Sequence, residues 1–142
     1  MSAALGRDWL LANLPHQGRM SLLHGIVSWD ATTLRAVAEG HRDPAHPLRR
    51  DGELPIASGI EYGAQAAAAH GALSSGAASP PGVIASVRDV AFHARRLDDV
   101  PRSLDIMVEQ LGEGEAGALY RFEVCAAGTP LVDGRITVMF RR

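Results

Sequence analysis

The chain has 142 residues, 46 % of them hydrophobic and 5 % aromatic, which is enough for one domain with a real core, read here as a single domain over residues 1–142. A formal charge of −2, with all fourteen basic residues arginine, leaves no basic footprint for nucleic acid. No apolar run approaches the ~20 residues that span a bilayer, and the first residues lack the flank and core of a secretory signal, so a cytoplasmic protein without a membrane partner is expected.

In chain order, Gly6 to Asn13 reads as a short helix with Trp9, Leu10 and Leu14 on its apolar side and Pro15 at its end. Leu14 to Met20 is a turn carrying His16 and Arg19. Ser21 to Trp29 and Thr32 to Glu39 read as an antiparallel hairpin; in the second strand Leu34, Ala36 and Ala38 share one side. His41 to Leu54 is irregular, with His41, His46, Pro44, Pro47, Arg49 and Arg50, and long irregular loops in compact domains tend to be functional. After the Ser74–Pro81 loop, four strands are expected: Val83 to Ala94, Ser103 to Leu111, Ala118 to Ala126 and Leu131 to Phe140. Gly112 to Gly114 and Gly128 to Pro130 are their turns.

The chain is organised around the stretch between those two sets of strands. Pro55 breaks the loop, Ser58 is a good N-cap, and Glu61 follows at capping-box spacing. The helix that begins there is made almost only of alanine, and Ile60, Ala64, Ala67, Ala68 and Gly71 can share one face. So slim a helix suits a position wrapped closely by a sheet, and strands on both sides of it imply an α+β fold with a curled antiparallel sheet. Into this apolar run the sequence places one acid, Glu61, and one amide, Gln65, at i and i+4.

Three ordered motifs carry a resemblance. Leu14-Pro-His16 with Met20 and Leu22-Leu23, then Pro55-x3-Gly59-Ile-Glu61-x2-Ala64-Gln65, then Gly82-Val-Ile-x2-Val-Arg88 with Phe92-His93 resemble the hotdog-fold 3-hydroxyacyl-ACP dehydratases, and most closely the stand-alone dehydratase-like proteins of aryl-polyene-type lipid clusters. The resemblance implies a dimer whose sheets join, and syn elimination of water from a 3-hydroxyacyl thioester in fatty acid or polyene synthesis. The substrate is carried on the phosphopantetheine of acyl carrier protein, so no cofactor is implied for the chain itself. The family takes a histidine from one subunit and a carboxyl group from the other. Its histidine stands in a Gly-His-Phe-Pro sequence that is absent here; Pro47 occupies the corresponding place and His46 lies one step before it.

Such an elimination needs a base for the proton beside the carbonyl, donors for the enolate, and an acid for the leaving hydroxyl. Glu61 is the expected acid. His16, in a matched motif, is the preferred base and His46 the other candidate. Ser58 and Gly59 offer N–H groups at the helix start, and Gln65 could orient Glu61. Plain capping by Glu61 and a turn-holding role for His16 are the structural alternatives. His24, His41, His70 and His93 read as surface or packing residues, without metal-ligand spacing. Cys125 has no partner for an internal disulfide and reads as inert. Arg49, Arg50, Arg95 and Arg96 form a solvated face or, alternatively, a patch for the acidic carrier. Two other functions stay open: a non-catalytic hotdog subunit that binds the carrier or completes a heterodimer, favoured by the missing motif, and an acyl thioesterase. Homodimer and heterodimer are both compatible with the sequence.

Overall fold

The alternating segments become strands because one side of each finds the same helix. The computed structural model describes residues 4–75 and 82–140. Helix α1 (Arg7–Asn13) is followed by the hairpin of β1 (Gly25–Trp29) and β2 (Thr33–Ala38). The Asp30 carboxylate shapes that hairpin's turn, accepting the N–H groups of Thr32 and Thr33 at 2.9 and 2.7 Å. Helix α2 (Gly59–Ser75) comes next, then β3 (Gly82–Phe92), β4 (Leu104–Glu113), β5 (Gly117–Ala126) and β6 (Thr129–Phe140). All six strands form one antiparallel sheet in the order β1-β2-β4-β5-β6-β3. α2 packs against β2, β4, β5 and β6. This is the α+β hotdog fold: a curled sheet around one long helix.

The core lies between sheet and helix. Leu34, Ala36 and Ala38 of β2, Leu104, Ile106 and Val108 of β4, and Tyr120, Phe122 and Val124 of β5 are all buried on the inner face. The helix approaches this face closely because two of its residues lack side chains. A Cβ on Gly63 would stand 2.8 Å from the Phe122 ring, and one on Gly59 would stand 2.4 Å from Val132 Cγ1.

The buried side of α2 differs from the apolar stripe read in the sequence. Of the stripe only Ala67 is buried; Ile60, Ala64, Ala68 and Gly71 are half-buried, while Tyr62, Gln65, Ala66, Ala69 and His70 are enclosed. Polar residues can occupy the deep positions because their polar atoms are bonded there: His70 Nε2 donates to the Asp30 carbonyl at 3.1 Å and Nδ1 takes the Tyr120 hydroxyl proton at 2.9 Å. β1 is shorter than expected: it begins at Gly25, and of the preceding residues Leu22 gives its N–H to Gln65 and His24 its N–H to the Val37 carbonyl at 2.8 Å. β4 runs on to Glu113 through a register shift at Gln110/Gly112, so the turn begins later than Gly112. The β5–β6 connection is the two-residue Ala127-Gly128, both at positive φ (48° and 82°). The helix holds to Ser75, and residues 76–81 of the expected loop lie outside the described residues.

The stretch His41–Leu54 is irregular and yet tightly built. The Arg49 guanidinium donates to the carbonyls of Asp43, Gly52 and Arg42 at 2.9, 2.7 and 2.9 Å. Asp51 and Gly52, at φ 52° and 79°, close a tight turn between Arg50 and Glu53. Leu54 then ties the stretch to residues 97–98 by its N–H to Asp98 Oδ1 at 2.9 Å and its carbonyl to Leu97 N–H at 2.8 Å.

Candidate active site

Glu61 and His16 come from segments far apart in sequence and meet at the start of α2. His16 Nε2 lies 3.3 Å from Glu61 Oε1, both side chains being partly exposed. The His16 turn is held from both sides. Gln17 Nε2 donates back to the α1 carbonyls of Leu11 and Leu14 at 2.7 and 3.3 Å. Ahead of it, Gln65 anchors the chain to α2: its Oε1 accepts Leu22 N–H at 2.9 Å and its Nε2 donates to the Met20 carbonyl at 2.7 Å. The same Nε2 reaches Glu61 Oε1 at 3.3 Å. Gln65, only 1 % exposed, therefore fixes both the strand of backbone beyond His16 and the carboxyl group that His16 faces. Oε1 of Glu61 is engaged on both sides, and His16 Nδ1 is buried without a partner among the described residues.

The capping-box alternative for Glu61 is not what the helix start shows. Pro55 begins a 3-10 turn, Ile56–Ser58, that feeds directly into α2. Ser58 N–H, which a capping-box glutamate would accept, donates instead to the Pro55 carbonyl at 3.0 Å. Gly59 N–H is likewise directed at the Ile56 and Ala57 carbonyls. Both groups expected as free enolate donors are thus already bonded inside that turn. What Ser58 has left for a ligand is its hydroxyl; Gly59 instead lets β6 come close.

His46 is placed differently. It is 8 % exposed, its Nδ1 accepts Leu48 N–H at 3.1 Å, and its Nε2 donates to the Tyr62 hydroxyl at 2.9 Å. Burial, and then the Arg49 charge, lower its pKa below the usual histidine value, against the opposing pull of Asp43. Burial also pushes the Tyr62 phenol well up. A ring with both nitrogens bonded and little exposure is a packing group rather than an open base, and its partner is Tyr62, not Glu61. Tyr62 was not singled out in the sequence, although a lone tyrosine beside the acid of an alanine helix was the available signal.

The other singled-out side chains are also engaged. His41 Nε2 donates to the Val100 carbonyl at 3.0 Å, and His93 Nε2 pairs with Asp133 at 2.7 Å. Glu53 takes Arg95 at 2.8 Å and Arg96 at 2.7 Å, while Arg96 also holds Asp98, whose carboxyl is kept well below the usual range. That pairing, and the approach of Asp98 to Arg49 at 3.7 Å, offset most of the free charge expected of Arg49, Arg95 and Arg96 in a carrier patch. Cys125 Sγ donates to Glu123 at 2.9 Å, and burial, followed by Glu123, raises the thiol to about 12. Among the described residues no cluster of three or more His, Cys, Asp or Glu could hold a metal ion.

The model of the ApeP-like family, described as ApeP dehydratase, matches residues 10–141. This chain belongs to the ApeP-like family. Both the His16 turn and the Glu61–Gln65 segment fall inside the matched residues. Among solved structures, the dehydratase heterocomplex ApeI:P from Xenorhabdus doucetiae is similar at TM-score 0.80, with 24 % identity over 94 % of this chain and 91 % of that one. Zebra fish thioesterase superfamily member 2 is similar at TM-score 0.66, with 14 % identity over 95 % of each chain. AziG of S. sahachiroi follows at TM-score 0.60, with 16 % identity over 87 % of this chain and 93 % of that one. These likenesses establish the fold. No curated protein sequence matches the chain. No helix among the described residues is long and apolar enough to cross a membrane.

Proposed function

We propose that this single-domain chain is a cytoplasmic hydro-lyase that removes water from a 3-hydroxyacyl thioester borne on acyl carrier protein, in polyene or fatty acid assembly. The observation that carries the reading is the 3.3 Å approach of His16 Nε2 to Glu61 Oε1, under the clamp of Gln65, in a chain of the ApeP-like dehydratase family. In the proposed cycle His16 Nε2 takes the proton next to the thioester carbonyl. The electron pair of that C–H bond passes through the enolate to form the C=C bond as the C–O bond breaks. Glu61, through the unoccupied Oε2, gives the departing hydroxyl a proton and water leaves. The imidazolium then returns its proton to Glu61 Oε1 across the short gap, and exchange with solvent at the partly exposed carboxyl group brings the acidic proton back to Oε2, which resets the pair. Acid and base are adjacent, so both can reach one face of a bound substrate, as a syn elimination requires. The cycle places the resting ring proton of His16 on Nδ1.

A second reading, a hotdog subunit completed by a different partner, is favoured by the sheet edge. Among the described residues β3 pairs with β6 alone, and it exposes Ile84, Val87 and Phe92. The similar ApeI:P structure is a heterocomplex by its description. Family membership favours elimination over thioester hydrolysis.

The test is a mass-spectrometric assay for loss of water from 3-hydroxyacyl carrier protein, with circular dichroism to verify folding. Glu61→Gln and His16→Ala should each lower turnover by ~10²-fold or more, the range for a lost acid or base, and His46→Ala should spare the chemistry of the molecules that still fold. A fully active Glu61→Gln would remove the reading. If the wild type is inert alone and active with a second hotdog protein, the partner reading holds. Ring ¹⁵N shifts of His16 check the tautomer: a proton found on Nε2 makes His16 the orienting group and Glu61 the sole proton-transfer residue.

A further inference from the structure

A second polar cleft lies apart from the Glu61–His16 pair. It has a volume of about 180 Å³ and brings together Arg7 from α1, Arg19 from the turn after His16, His24, Asp43, and the His46–Tyr62 pair. Its charge is unbalanced. The Arg7 guanidinium is held by the carbonyls of Leu23 at 3.1 Å and Gly18 at 3.3 Å, which position it without neutralising it. Neither Arg7 nor Arg19 has a carboxylate within ion-pair reach among the described residues, in contrast to Arg95 and Arg96. The cleft's one acid, Asp43, has its Oδ1 turned to Ala45 N–H at 2.8 Å. The two histidines do not offset this. His24 accepts Glu39 N–H at Nδ1, 3.2 Å, so its proton stands on Nε2, and its ring titrates low through burial and then through the charge of Arg7. Two guanidinium charges thus face one carboxylate in a recess small enough to hold an anion of a few heavy atoms.

We infer that this cleft is a binding site for a phosphoryl oxyanion, gripped by Arg7 and Arg19. Guanidinium groups arriving from two different elements suit the several oxygens of a tetrahedral anion, and charge-assisted N–H···O bonds are the strong ones. Neither Glu61 nor His16 lines the site, so its anion binding does not depend on the dehydration chemistry, whereas a carrier arm as its occupant rests on the proposed function. Two sources share this chemistry: free phosphate, and the phosphate of a pantetheine arm.

The experiment is a ¹H–¹⁵N titration of the full chain with inorganic phosphate, with sodium chloride at matched ionic strength as the control. Parallel titrations use phosphopantetheine and unphosphorylated pantetheine. Saturable shifts are expected at the amides of Arg19, Leu22, Gly40 and Ala45 with phosphate and not with chloride. Arg19→Ala should weaken binding about tenfold, the loss of one charge-assisted contact. Arg7→Ala removes two backbone bonds as well, so Arg7→Lys serves beside it and should also weaken binding. Glu61→Gln should bind as the wild type does, which separates failure of this site from failure of the catalytic reading. Tighter binding of phosphopantetheine than of phosphate, with pantetheine silent, identifies the arm as the source; binding of phosphate alone identifies the free anion. Shifts that chloride reproduces, or that Arg19→Ala leaves unchanged, overturn the proposal.

Discussion

Gln65 makes three hydrogen bonds from a position with almost no solvent contact, to Leu22 N–H, to the Met20 carbonyl and to Glu61. Gln65→Met keeps the side-chain length and removes every one of them. Two backbone groups then lose their partner, at ~1–3 kcal/mol for each that stays buried, so a loss of ~2–6 kcal/mol in urea unfolding is expected. Turnover should fall too, because the Glu61 carboxyl is freed. His46 supplies a pH dependence. Its folded-state pKa lies below the ordinary 6.5, so the unfolded chain binds the proton more readily. Its contribution is therefore complete above about pH 6.5 and is lost as pH falls from there through the lower folded value. His24 acts with the same sign. A stability curve from pH 8 to pH 5 should bend downward below 6.5, and His46→Gln should flatten part of that bend. An unchanged slope in His46→Gln would assign the acid sensitivity elsewhere. The i, i+4 spacing of Glu61 and Gln65 was legible from sequence alone. The other partners of Gln65 were not, because they are backbone groups 43 and 45 residues away and backbone groups leave no mark on residue type.

At the scale of elements, alternation carried the strands and failed for the helix. Leu34-x-Ala36-x-Ala38 and Leu104-x-Ile106-x-Val108 point inward as their spacing implies. In α2 nearly every residue is small, so apolarity could not tell one face from another, and the deep side is set by Gly59 and Gly63 against Val132 and Phe122. The turns carried signals of their own. Asp51-Gly52 is the dipeptide favoured where both central residues of a tight turn take positive φ, and it orders a stretch that reads as irregular. Ala127-Gly128 makes the same kind of turn with a less suitable first residue. An L-residue with a Cβ in the left-handed region costs about 1 kcal/mol, and asparagine tolerates it better. Ala127→Asn should raise stability by ~0.5–1 kcal/mol in thermal unfolding and leave any activity unchanged; a destabilised variant would mean that the methyl group is needed.

For the molecule as a whole, the stretch before α2 is fastened to the segment after β3 by polar groups as well as by the buried Leu54 and Leu97. Arg49 binds three carbonyls within that stretch, while Glu53, Asp98, Arg95 and Arg96 bind across it. Arg49→Ala should cost ~2–3 kcal/mol, since bonds from a charged donor exceed neutral ones. Protease cutting between His41 and Leu54 should rise with it, and an unaltered cutting rate would show that the turn at Asp51-Gly52 suffices.

The sheet order has a consequence for how the chain is made. β3 is the first strand described after the helix, yet its one neighbour among the described residues is β6, with Val83 opposite Met139 and Val87 opposite Ile136. Everything between them, including all of β4 and β5, is synthesised while β3 waits with both edges unpaired. Pairings this distant are slow to form and leave strand edges exposed meanwhile. The nascent chain therefore reaches its native sheet only when β6 emerges: ribosome-bound chains stalled before Thr129 should stay open to protease, while those held by an added C-terminal linker long enough to bring Phe140 out of the exit tunnel should not.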